Sequence, residues 1–297
     1  MSMIVNRRDL DFMFYETLDL DELLKSERYA DYDRESLNAM MDLCQSIAEE
    51  EFLPFASKLD ANEPQFVDGG VETIPELKQA IKAFKEAGLC TSGYDADIGG
   101  MQLPWMVDQA MNGMFVCANN PVHTYLFLTQ GVANMLNVCG SDELKDKFLG
   151  KLVEGEWFGT MCLSEPQAGS SLADIRTKAE PLADGSYKIS GTKMWISGGE
   201  QDLSDNIVHM VLAKVPGGPA GVRGISLFLV PKICVKEDGS LGERNNVALA
   251  GLNHKMGNRG TTNTLLNFGE GGDCVGYLVG KENEGLANMF HMMNEAR

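Results

Sequence analysis

The hydrophobic period of the chain changes near Trp157, and that change limits the possible folds more than any other feature. Before it, apolar residues recur three and four apart, the spacing of one helix face. Leu37, Met40, Met41, Cys44, Ile47, Ala48 and Phe52 form such a stripe behind Asp33, a good N-cap residue type. Pro54 predicts a kink or an end there. Leu77, Ala80, Ile81, Phe84 and Ala87 form a second stripe, with Pro75 in its first turn and Gly88 as its C-terminal cap. Asp19–Tyr29 predicts a short helix, and Pro104–Ala118 and Val122–Cys139 two longer ones. Ser141 caps another short helix over Asp142–Leu149. Met111, Met114, Phe115 and Phe127 read as core.

After Trp157 the pattern is that of strands. Phe158–Leu163, Ile175–Pro181, Ser186–Ser190, Lys193–Ser197, Ile207–Val215, Ile225–Pro231, Val247–Ala250 and Thr264–Phe268 fit it. Turn residues such as Asp184-Gly185 and Pro216-Gly217-Gly218-Pro219 separate them. Many short strands without intervening helices predict a mostly antiparallel β-barrel or sandwich. Helical spacing returns after Gly285 with Leu286, Met289, Phe290 and Met293. The expected class is therefore α+β: a helical domain over 1–156, a β-domain over 157–280 and the first turns of a further helix over 281–297.

Composition narrows the function. No apolar run reaches the ~20 residues of a membrane span. Acids interrupt the apolar part of the N-terminus, so a signal peptide is not expected and a cytoplasmic setting is. A net charge of −18 speaks against nucleic acid as a partner. The 7 cysteines are odd in number and form no C-x-x-C pair, which fits reduced thiols. The 4 histidines are scattered, so no metal site is expected. Gly217–Gly221 leads into a strand and is no dinucleotide fingerprint, and Gly276–Lys281 is too short for a P-loop. Hydrolase and zinc-protease motifs are absent from the sequence.

The stretch 161–200 carries the chemistry. Pro166 stops the strand that precedes it. Ala168-Gly169-Ser170-Ser171 is then a small-residue loop, which lets a flat ligand or a phosphate approach backbone N–H groups. Cys162-Leu163-Ser164-Glu165-Pro166 with Ala168-Gly169-Ser170, followed by Gly191-Thr192-Lys193-Met194-Trp195-Ile196-Ser197, resembles the acyl-CoA dehydrogenase family over nearly the whole chain. Gly159-Thr160-Met161-Cys162, Gly199–Leu203, His254-Lys255-Met256-Gly257 and Met289–Arg297 are similar to the long bacterial branch that includes 3-methylmercaptopropionyl-CoA dehydrogenase.

The resemblance implies FAD as cofactor and α,β-dehydrogenation of an acyl-CoA, with electrons passed to an electron-transfer flavoprotein. It implies that Met161, Leu163 and Ser164 border the isoalloxazine, and that Gly169 and Ser170 lie by the pyrophosphate or ribityl chain. Trp195 would cover one flavin face, with Ile196 and Ser197 near the ring and N5. Leu126–Gly131 would contribute to the acyl-pocket wall, and a homodimer or homotetramer is implied. The family's C-terminal helical domain, with its usual base Glu, is expected beyond Arg297. A minority of members place a Glu just before the matching arginine. That position is Ala296 here, and Glu295 is one residue off, about 100° round the helix, so it is not assigned the role.

Ser171 stands where the family usually has Asp, and Gln167 where a small residue is common. The polar loop Asn258–Asn263 also departs from the branch's pattern. An acidic chain needs local basic residues to receive an anionic CoA ligand. The substrate expected is a short or sulfur-containing acyl-CoA. The alternatives are an acyl-CoA oxidase and a truncated, non-catalytic member acting as a binding or assembly module.

Overall fold

The computed structural model describes residues 2–295 and divides into two compact units. One runs to Asn62 and resumes over Ile74–His123; the other takes Glu63–Thr73 and the chain from Thr124 on.

The first unit is helical: α1 (Arg7–Asp11), α2 (Leu20–Leu23), α3 (Arg34–Ile47), α4 (Ala56–Ala61), α5 (Pro75–Glu86) and the first part of α6 (Trp105–Cys139). Asp33 caps α3 as expected. Its carboxylate accepts from Ser36 N at 2.8 Å and the Ser36 hydroxyl accepts from Asp33 N at 3.0 Å, so two orphan donors are satisfied together. The chain does not stop at Pro54. It passes through a π turn, Ala48–Phe52, and a 3-10 turn, Leu53–Phe55, into α4. Pro54 falls in the first turn of that 3-10 segment, where its missing N–H costs nothing. Phe115 lies 4.9 Å from both Phe52 and Phe84, ring centre to ring centre, and these rings anchor the core.

One expectation changes here: Asp19–Tyr29 is α2 followed by a separate 3-10 turn, Glu27–Tyr29. The two helices expected between Pro104 and Cys139 are present as the two parts of α6, separated by the non-helical Asn119 (φ −161°, ψ 83°) just before Pro121. Asn119 Nδ2 donates to the Phe52 carbonyl at 3.0 Å, which holds the break. The helical start α1 was not foreseen, because its five residues bury nothing.

The second unit opens with a hairpin, β1 (Gln65–Val67) and β2 (Gly70–Glu72), turned at Asp68-Gly69. After α6 come α7 (Asp142–Leu144), a π turn and α8 (Gly150–Val153), so the helix expected over Asp142–Leu149 extends to Val153. Ser141 Oγ accepts from Leu144 N at 3.3 Å as its cap.

The strands are β3 (Trp157–Cys162), β4 (Lys178–Pro181), β5 (Tyr187–Ser197), β6 (Asn206–Lys214), β7 (Ile225–Pro231), β8 (Ile233–Val235), β9 (Leu241–Arg244), β10 (Val247–Leu252), β11 (Asn263–Phe268) and β12 (Val275–Leu278). The main sheet runs β10-β11-β5-β12-β7-β6-β3, with β4 pairing β5 and β6. Only β3 and β4 pair with β6 in parallel; the other pairings are antiparallel. This is the expected helical domain followed by a mostly antiparallel β-domain.

The two strands expected over Ser186–Ser190 and Lys193–Ser197 are one strand, β5. Gly191 and Thr192 stay in register with Phe268 and Asn267. A Cβ on Gly191 would sit 2.7 Å from Thr177 Cα, so glycine allows the close pass. The strand expected from Ile175 starts at Lys178. The strands β8, β9 and β12 span three or four residues, too few for alternation to show in sequence. Cys162, Ile189, Ile196, Val211, Phe228, Leu266 and Phe268 fill the β core. The 7 cysteines are all free. Last, α9 (Gly285–Glu295) buries Met289 and Met292.

Candidate functional site

The loop after β3 is held from below by a buried carboxylate. Glu165 accepts from Arg176 N at 2.7 Å, Thr177 N at 3.0 Å, Thr177 Oγ1 at 2.6 Å, Gln167 Nε2 at 2.7 Å and Lys193 Nζ at 3.0 Å. Lys193 also donates to the Leu163 carbonyl at 2.9 Å. Burial opposes the charge on Glu165, but the Lys193 ammonium and these donors outweigh it and hold the carboxyl at about 2. Burial acts on Lys193 too and draws its pKa down, although Glu165 opposes that shift. The carboxylate direction is the firmer one, because five donors converge on it. Neither Glu165 nor Lys193 was singled out from sequence. The signal was their place inside the two motifs.

Above this pair the loop folds tightly. Glu165 N donates to the Ala168 carbonyl at 2.7 Å and Ala168 N returns a bond at 3.0 Å. Met194 N donates to the Ser164 carbonyl at 2.9 Å, which ties the loop to β5. Gly169 and Ser170 are exposed at its tip, while Met161, Leu163 and Ser164 are half-buried. The Ser171 hydroxyl donates to Asp174 Oδ2 at 2.5 Å, so a carboxylate reaches this loop from three residues on.

Trp195 is the exceptional residue. Between the pairs Thr264–Ile196 and Leu266–Lys193, two residues of β5 oppose one of β11, a β-bulge. Trp195 lies in it at φ 65°, a left-handed conformation that a bulky side chain rarely adopts. The bulge turns the indole outward and leaves Trp195 50% exposed. Lys255 Nζ lies 5.4 Å from the centre of that ring.

The neighbouring residues divide. Ser197 is half-buried, with its hydroxyl 3.4 Å from Asn263 Nδ2. Ile196 points the other way, into the β core at 1% exposure, and its carbonyl accepts from Thr264 Oγ1 at 2.9 Å. Its side chain is core, so any ligand contact at this position falls to neighbouring groups. Tyr125 supports the rim from beneath: its hydroxyl accepts from Thr262 N at 2.7 Å.

Glu295 packs against the C-terminal part of α6. Its Oε1 accepts from Asn134 Nδ2 at 3.1 Å, and a Cβ on Gly131 would lie 3.4 Å from its Oε2. Burial raises its pKa to about 7, against the Asn134 hydrogen bond. Ala296 and Arg297 lie outside the described residues. Among the described residues no group of three His, Cys, Asp or Glu side chains could hold a metal, and no helix is long and apolar enough to cross a membrane.

Comparison with known proteins identifies the family of the chain. Residues 34–156 match the family description "Acyl-CoA dehydrogenase, N-terminal domain", and residues 160–270 match "Acyl-CoA dehydrogenase, middle domain". The chain is 37% identical over 98% of its length to the 3-methylmercaptopropionyl-CoA dehydrogenase of Ruegeria pomeroyi, of which it covers 49%. It is 36% identical over 98% of its length to a butyryl-CoA dehydrogenase of Syntrophomonas wolfei, again covering 49%. The chain thus spans about half the length of these curated relatives. The solved acyl-CoA dehydrogenase of Bacillus anthracis, complexed with FAD, superposes with a TM-score of 0.70 at 22% identity, over 90% of this chain and 41% of that one. At that identity the likeness is one of fold.

Proposed function

Because the chain belongs to the acyl-CoA dehydrogenase family, carrying its N-terminal and middle domains, we propose that the protein oxidises an acyl-CoA thioester to the trans-2-enoyl-CoA on bound FAD. The observation that carries this reading is Trp195. A strained, half-exposed tryptophan at a bulge costs about 1–3 kcal/mol of backbone energy and leaves apolar surface in water, and such strain collects at ligand sites. An indole face suits a planar ring.

FAD, when bound, supplies the two-electron acceptor for the substrate. This chain's residues supply its seat. The Trp195 indole would cover one ring face, Met161 and Leu163 would give an apolar border, and the Ser164 and Ser197 hydroxyls would donate to polar ring edges. Gly169 and Ser170 leave the loop tip open to phosphate or ribityl oxygens. The buried Glu165–Lys193 pair fixes where that loop stands, so it positions and does not react. The α-proton needs a carboxylate base, which none of these residues provides. The names of the relatives favour a short or sulfur-containing acyl group. An electron-transfer flavoprotein as acceptor, a homo-oligomer and a cytoplasmic setting belong to the same proposal.

The test is an anaerobic titration of the intact natural protein with butyryl-CoA and with 3-methylmercaptopropionyl-CoA. The expected result is a protein that carries flavin and whose visible flavin bands bleach with one of them. A flavin-free protein, or flavin that neither thioester bleaches, overturns the reading. Rapid return of the bands in air would make the enzyme an oxidase.

A further inference from the structure

No ion pair explains the place of Lys255. The residue is half-buried, yet no carboxylate lies within ion-pair distance of it among the described residues. Carboxylates are plentiful in a chain of charge −18, so another group holds this lysine. That group is Trp195. Lys255 Nζ lies over the indole, 5.4 Å from its centre, within the ~6 Å over which a ring face attracts a cation.

The contact is prepared from both sides. In β5 the bulge fixes the Trp195 backbone at φ 65° and turns the indole outward, so only its side-chain torsions stay free. On the other side, Asn253 N donates to the Asn263 carbonyl at 2.7 Å and Asn253 Nδ2 to Asn263 Oδ1 at 3.0 Å. Asn263 pairs in register with Ser197, two residues beyond Trp195. His254 Nδ1 lies 2.9 Å from Glu63 Oε1, so the residue before Lys255 is held as well. The residue after it is not: the Met256 side chain is fully exposed. Lys255 is thus the last anchored residue before a bare tip, and Trp195 is its partner.

We propose that Lys255 is a positioning residue, whose ammonium holds the Trp195 indole in the orientation that receives a planar ligand. This rests on reading Trp195 as the residue that faces the flavin. Without the cation, a half-exposed indole can turn about its side-chain torsions, and binding must then fix it at an entropic cost. With the cation, one orientation is favoured beforehand. The contact also strengthens when a ring covers the exposed indole, because excluding water lowers the local dielectric. Lys255 therefore acts on the ligand through Trp195.

Lys255→Met keeps the length of the side chain and removes its charge, while Lys255→Arg keeps the charge. The first measurement needs no ligand. It is acrylamide quenching of the Trp195 emission in the intact natural protein stripped of flavin, taken as the difference between each form and the same form carrying Trp195→Phe. Quenching should rise in Lys255→Met and return towards the parent in Lys255→Arg. FAD titrated into these forms should bind about fivefold more weakly to Lys255→Met, the order of one cation–π contact, and with near-parent affinity to Lys255→Arg. An equal Tm in the three forms separates positioning from loss of fold. Equal quenching in the parent and Lys255→Met overturns the proposal, and so does raised quenching with unchanged FAD affinity. A protein that binds no FAD in any form sinks the dehydrogenase reading instead, and the quenching comparison alone then decides the role of Lys255.

Discussion

Lys193 Nζ lies 3.0 Å from Glu165 Oε1, and their side chains are 0% and 2% exposed. Each belongs to one of the two sequence motifs, so this contact joins the loop after β3 to β5, beside the Met194–Ser164 backbone bond. Removing one partner leaves a buried charge, and Lys193→Met should cost about 3–5 kcal/mol in denaturant unfolding. The double change Glu165→Gln with Lys193→Met should cost less than the single one. The pH sign follows from the depressed carboxyl. Its folded pKa, about 2, is below the ordinary 4.5, so its stabilisation is present above 4.5 and is lost as pH falls through about 2. A Glu165→Gln variant should show a flatter acid limb. An unchanged acid limb would remove Glu165 from this account.

Trp195 makes a prediction that separates strain from ligand contact. Trp195→Gly removes the indole and relieves a left-handed backbone, whereas Trp195→Ala removes the indole and keeps the strain. The glycine variant should therefore be the more stable of the two by about 1 kcal/mol. Both should retain less flavin than the parent, and Trp195→Phe should retain more than either. Equal flavin content across the three would refute stacking by this residue.

Two glycines should respond oppositely to alanine. A Cβ on Gly285 would lie 2.3 Å from the backbone C of Ser226, so α9 must lift from β7, at about 1–3 kcal/mol or more. A Cβ on Gly169 meets nothing within 4 Å. Gly169→Ala should leave Tm unchanged, and any fall in flavin retention then reports on close approach of the ligand. Loss of stability in Gly169→Ala with none in Gly285→Ala would contradict the packing.

Glu295 predicts a pH effect on α9. Its folded pKa, about 7, stands above the ordinary 4.5, so the folded niche prefers the protonated acid. The stabilisation from this group is complete below 4.5 and is lost as pH rises through 7. Allowing for its partial exposure, the change is of order 1 kcal/mol. The protection factors of the α9 amides, corrected for intrinsic base-catalysed exchange, should fall over that window in the parent and not in Glu295→Gln. Identical pH profiles would show that the carboxyl stays charged in its niche.

The sequence by itself determined the order of the architecture and the identity of the motif loops. A hydrophobic period is a local property, so the switch at Trp157 and the capping residues Asp33 and Ser141 were legible without a fold. The motifs placed Ser164, Ser170 and Trp195 in one reading by their wording alone. Tertiary structure decided what each residue does there. It joined two expected strands into β5, because Gly191 lets the backbone pass Thr177. It sent Ile196 into the core and Trp195 into solvent, because the bulge opposite Leu265 breaks the alternation that period-two reasoning assumes. It made Glu165 a buried anchor and grouped Glu63 with Arg259 across 196 positions of chain, since ion pairs between distant segments leave no periodic trace in a sequence.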